Sequence, residues 1–139
     1  MAAESPFIYD ESYIAASDLS TKQFMIVSSS ASGYVDLCVA SSGAASVSTR
    51  AIGVLQNAPT SGHVAQVRLL GKTKMVASSS ASISHAGFVA CTTFGTAMTA
   101  TTGCWVLGPA QSASTGVSGQ LIEVLLFGPF SYQAAGATA

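Results

Sequence analysis

A chain of 139 residues has the length of one domain with one core, and burial of roughly two-thirds of its unfolded surface lets it fold without disulfides or metal. Only 8% of the residues are Asp, Glu, Lys or Arg and the net charge is −1, against about 25% charged residues in ordinary soluble domains. At 49% hydrophobic the chain is too apolar for disorder, it has no Lys/Arg cluster to follow nucleic acid, and its longest apolar run, "LIEVLLFGPF", is too short for a membrane-spanning helix and is broken by Glu123 and Pro129.

A surface this poor in charge suits a subunit covered by neighbours, because charge is what holds free surfaces apart. No direct nucleic-acid contact, no membrane and no cofactor are expected.

In chain order, "MAAESPFIYDESYIAASDLS" has neither a basic n-region nor a continuous apolar stretch, so a signal peptide is not expected. It carries four acids (Glu4, Asp10, Glu11, Asp18) and the aromatics Phe7, Tyr9 and Tyr13. "FIY" has no obvious hairpin partner. It reads either as a strand on its own barrel or as an extended arm that adds to a neighbour's sheet edge, with Phe7, Ile8 and Tyr9 as anchors. The arm, residues 1–20, is the expectation adopted.

Beyond it, Ser, Thr, Val, Ala and Gly dominate, with turn punctuation every eight to twelve residues, which predicts an all-β sandwich or barrel. Strands are expected near 23–28, 34–39, 51–56, 64–70, 73–77, 87–92, 97–101, 104–107 and 121–127. The connections "SSSASG" and "SSSASIS" are either duplicated glycan or ligand loops or plain turn composition.

The phrase "AIGVLQNAPTSGHVAQVRLLG" reads as a hairpin. Asn57, Pro59 and Gly62 supply the turn, Gly62 by a positive φ. The strand after it sets Val64, Gln66, Arg68 and Leu70 on one face and His63, Ala65, Val67 and Leu69 on the other. A similar phrase closes on "LIEVLLFG", which places Ile122, Val124 and Leu126 on one face and Leu121, Leu125 and Phe127 around Glu123 on the other. The two hairpins are either halves of a duplication or a chance likeness. A strand apolar on both faces is expected to be buried on both, by a closed sheet or by a partner chain. Glu123 then has to be solvated, at a subunit contact, or paired, and Arg68 is the candidate partner.

Cys38, Cys91 and Cys104 lack CxxC spacing and suit a reducing compartment, with a Cys91–Cys104 bridge left open. The scarcity of titratable groups argues against an enzyme. No nucleophile elbow, HExxH, P-loop or dinucleotide fingerprint is present, and His63 and His85 read as exposed turn residues. A small Ser- or Cys-dependent hydrolase ranks last.

Three blocks, "DLSTKQFMIVS", "AIGVLQNAPTSGHVAQVRLLGKTKMVAS" and "VLGPAQSASTGVSGQLIEVLLFG", resemble in order the capsid decoration, or cement, proteins of tailed bacteriophages. The sequence departs from that pattern at Gly62-His63, Ala86-Gly87-Phe88 and Gly119-Gln120, losing acidic surface each time.

The resemblance implies a small β-barrel or β-tulip-like domain at 21–130, with a flexible tail at 131–139. It implies a structural role on the outer face of the phage head, after assembly in the host bacterial cytoplasm. There it would act as a homotrimer at three-fold and quasi-three-fold positions that clamps adjacent major capsid proteins. The hairpin at 56–63 and the strand at 121–127 would be scaffold, and the N-terminal arm the capsid-contacting element. Phe7, Ile8, Tyr9, Tyr13, Arg68 and Glu123 are the expected contact residues. A glycan-binding virion module and a tail-tube subunit are the competing expectations.

Overall fold

The computed structural model describes residues 8–39, 50–79, 82–92, 94–101, 104–117, 119–128 and 130–131. Among them there are strands and turns and no helix.

In chain order the strands are β1 (Tyr9–Ala15), β2 (Ile26–Ala31), β3 (Tyr34–Leu37), β4 (Ala51–Leu55), β5 (Val64–Val76), β6 (Ser82–Ile83), β7 (Phe88–Cys91), β8 (Ala97–Thr99), β9 (Trp105–Pro109), β10 (Ser114–Thr115), β11 (Leu121–Leu126) and β12 (Phe130–Ser131). The first sheet runs β1-β3-β2-β4-β5-β11, and β1 also pairs with β5, which closes a five-stranded barrel and leaves β11 as an extension. A four-stranded sheet, β12-β9-β7-β8, and the short β10-β6 pair complete the fold.

Two cores result. Ala15, Leu19, Val27, Val35, Leu55, Ala65 and Val67 fill the barrel. A larger cluster, including Ile26, Val54, Met75, Val89, Leu107, Ile122 and Val124, joins the barrel wall to β7, β9 and β11. Strands β2 and β4 serve both, since Ile26 and Val54 belong to one cluster and their neighbours Val27 and Leu55 to the other. A strand buried on both faces must be apolar at successive positions, which explains "MIV" and "GVL". Each such Val, Leu or Ile contributes about 1.5–3 kcal/mol on burial.

Gly53 lies where β4 meets β5, and a Cβ there would collide with the backbone carbonyl of Arg68. The β4–β5 turn follows its expected chemistry, with Gly62 at φ 79. Asn57, however, reaches across the hairpin: its Nδ2 donates to the Val64 carbonyl at 2.9 Å and its Oδ1 accepts from the Gln66 amide at 2.9 Å.

Two expectations are corrected. The segment at 9–15 is no detached arm. It pairs antiparallel with β5 from Ile14↔Val64 to Tyr9↔Leu70 and parallel with β3, so it builds the chain's own barrel. Residues 1–7 and 132–139 lie outside the described residues. The strands expected at 64–70 and 73–77 are one strand of 13 residues. Gly71, at φ 100, is no turn, and β5 continues through it with a change of partner from β1 to β11.

Candidate contact surface

Residues directly opposite in an antiparallel ladder share a face. Along the first half of β5 this sets Ile14 beside Val64, Ser12 beside Gln66 and Asp10 beside Arg68. Gln66 Nε2 donates to Ser12 Oγ at 2.9 Å. The Arg68 guanidinium grips Asp10 with both prongs, Nε to Oδ1 at 2.8 Å and Nη2 to Oδ2 at 3.0 Å. That hydrogen bond raises the Arg68 pKa above its ordinary value. The remaining nitrogen, Nη1, donates to the Lys72 carbonyl at 3.0 Å.

Along the second half, Leu121 stands opposite Val76, Glu123 opposite Lys74 and Leu125 opposite Lys72. Lys72 Nζ lies 2.8 Å from Glu123, across the diagonal of the ladder. The expected Arg68–Glu123 pair is therefore corrected: each takes the charge that its own strand pairing brings alongside, Asp10 for Arg68 and Lys72 for Glu123. Asp10, Arg68, Lys72 and Glu123 form one chain of contacts across β1, β5 and β11, with the Lys72 carbonyl as its middle link.

Of the two covers expected for β11, a closed sheet or a partner chain, the chain's own fold covers one face only. Ile122, Val124 and Leu126 are buried, but Leu121 is 47% exposed, Leu125 40% and the following Phe127 49%. Lys72 and Lys74 are exposed beside them. The result is a face on the β5–β11 ladder in which Leu121, Leu125 and Phe127 surround the Lys72–Glu123 ion pair, with Lys74 beside it. Sequence reading quoted these leucines without nominating them as contact residues; their signal was the apolar run on the second face.

The other nominated residues divide. Ile8 and Tyr9 are exposed at the start of β1. Tyr13 is half-buried against the barrel core, and its hydroxyl donates to Glu11 at 3.2 Å. Burial first, and then the Glu11 charge, raise the Tyr13 pKa. Phe7 lies outside the described residues.

Both histidines are exposed, as expected, and His63 Nδ1 lies 2.8 Å from Thr60 Oγ1. No group of three or more His, Cys, Asp or Glu able to hold a metal occurs among the described residues. No disulfide links the described cysteines, so the Cys91–Cys104 bridge left open by the sequence is not formed.

The closed barrel with a second sheet against its wall defines an all-β barrel domain. No protein-family model matches the sequence, and no curated protein matches it. Among solved structures it is similar to the N base of the head fibre protein gp8.5 of bacteriophage phi29, with a TM-score of 0.60 at 15% identity, over 91% of this chain and 100% of that one.

Proposed function

We propose that this chain is a structural protein of a tailed-phage head, which binds the outer surface of the capsid and stabilises it by bridging adjacent major capsid proteins. The observation that carries the reading is the exposed Leu121, Leu125 and Phe127 around the Lys72–Glu123 pair on β5 and β11, on a domain with very few charges. Such a face is stabilised by being covered. The likeness in fold to the base of a phage head fibre supports a place on the head over one in the tail tube.

The role uses area, with no catalytic group and no cofactor. An interface of about 1,600 Å² gives anything from micromolar to picomolar binding, and repetition over a lattice multiplies it. A ligand of the mature lattice stabilises that state by mass action. Assembly as a homotrimer at local three-fold positions is part of the proposal.

The test compares phage heads with and without the protein in a thermal-release assay. Heads lacking it are expected to release DNA at lower temperature, with recovery on adding the purified chain. Identical release curves, together with no sedimentation of the protein with heads, refute the role.

A further inference from the structure

Cys38 follows β3 in the barrel wall and Cys91 ends β7 in the covering sheet. Both belong to the larger core cluster, Cys38 fully buried and Cys91 7% exposed. The Cys91 thiol lies 3.4 Å from the Cys38 carbonyl oxygen, a contact between residues 53 apart in sequence, and 3.0 Å from the Thr92 carbonyl. The Cys91 side chain also hydrogen-bonds the Cys38 thiol, which holds the Cys38 pKa below its ordinary value. Cys104 sits elsewhere in the chain's contacts, 3.2 Å from Thr101 Oγ1.

We propose that Cys38 and Cys91 are a peroxide-oxidised pair that closes a reversible disulfide between the barrel wall and the covering sheet. Cys91, 7% exposed against 0% for Cys38, is the thiol that peroxide reaches first, and once it loses its proton its sulfur attacks the peroxide oxygen. The O–O bond breaks, and a sulfenic acid forms on Cys91 as water leaves after proton uptake. The Cys38 thiolate then attacks the Cys91 sulfur and expels hydroxide, which takes up a proton and leaves as the second water. Two thiols and one hydrogen peroxide give one disulfide and two waters; two electrons pass from sulfur to peroxide.

Closing a loop of this length removes freedom from the unfolded chain, for an expected rise in melting temperature of roughly 10 °C. A head protein would thus be assembled reduced inside a cell and stapled after release. That consequence rests on the function proposed above, whereas the cross-link itself is testable on the purified protein alone.

The experiment uses the full chain with Cys104→Ser, which leaves one possible intramolecular pair. After graded hydrogen peroxide, intact mass, thiol titration under denaturing conditions and peptide mapping are read. The expected product is a monomer lighter by two hydrogens, with no titratable thiol, a Cys38–Cys91 linked peptide and a raised melting temperature that a dithiol reductant reverses. Adding Cys38→Ser is expected to abolish the mass loss and leave Cys91 to accumulate added oxygen. Persistence of both thiols, oxygen addition without hydrogen loss, or disulfides only between chains overturns the proposal. Peptide mapping decides it even if the Cys38 variant does not fold.

Discussion

Arg68 and Asp10 lie 58 residues apart in sequence and meet through two parallel hydrogen bonds of 2.8 and 3.0 Å. They tie the first strand of the barrel to its longest one where β5 is about to leave β1 for β11. With side chains 20% and 34% exposed, the fork is shielded enough to hold its geometry, and bidentate pairing is the favourable form of a surface ion pair. Arg68→Met and Asp10→Asn are each expected to cost about 1–2 kcal/mol in urea unfolding. The double variant should cost less than the sum of the two, since each single change already breaks the same fork. Strict additivity would show that the pair is not energetically coupled.

Tyr13 provides a pH signature. Its folded-state pKa is raised above the ordinary 10.0, by burial first and then by the Glu11 charge. For an acid, a raised folded pKa means that the folded chain keeps its proton where the unfolded chain loses it. The stabilisation is therefore complete below pH 10 and is lost as pH rises from there through the folded value. Melting curves of the wild type and Tyr13→Phe are expected to keep a constant offset at neutral pH. Above pH 10 the wild type should fall more steeply. Parallel curves throughout would remove Tyr13 from the alkaline transition.

The all-β class and most of the inner strands were legible because alternation and double burial leave direct marks in sequence. "QFMIVS" and "AIGVLQ" are apolar at successive positions because β2 and β4 lie between two cores. The β1–β5 pairing was not legible: it joins segments more than fifty residues apart, and Asp10, Ser12 and Glu11 give β1 no apolar period. Gly71-Lys72 looked like a turn because glycine usually ends a strand. Here its positive φ serves a partner exchange within one strand. The contact surface was half legible. Glu123 was singled out correctly as the odd charge on an apolar strand, but register decides its partner, and register depends on where β5 changes neighbour.

Backbone strain yields a pair of opposite expectations. Ala86 adopts φ 63 in the exposed turn before β7, a left-handed conformation that costs a residue with a Cβ about 1–2 kcal/mol. Ala86→Gly removes that strain but frees the unfolded chain, for a net gain of about 0.5–1 kcal/mol. Gly53→Ala does the reverse. It drives a methyl group into the Arg68 carbonyl, and the forced separation of β4 from β5 should cost about 2–3 kcal/mol. Differential scanning calorimetry on both variants is expected to bracket the wild type from above and below. Destabilisation by Ala86→Gly would mean that the turn is not strained.

Leu121 and Leu125 separate adhesion from folding. Both point away from the core, at 47% and 40% exposed, on a strand whose opposite face is fully packed. Replacing each with Glu adds charge at half-exposed positions and leaves both buried cores intact, so melting temperatures should stay within about 3 °C of the wild type. Two carboxylates buried against a capsid neighbour would carry a desolvation penalty of several kcal/mol, enough to lower affinity by a factor of a hundred or more. Co-sedimentation with heads that lack the protein is the measurement. Lost binding with an unchanged melting curve assigns the β5–β11 face to the contact. Unchanged binding moves the contact to another surface, with the exposed Ile8 and Tyr9 end of β1 next to be substituted.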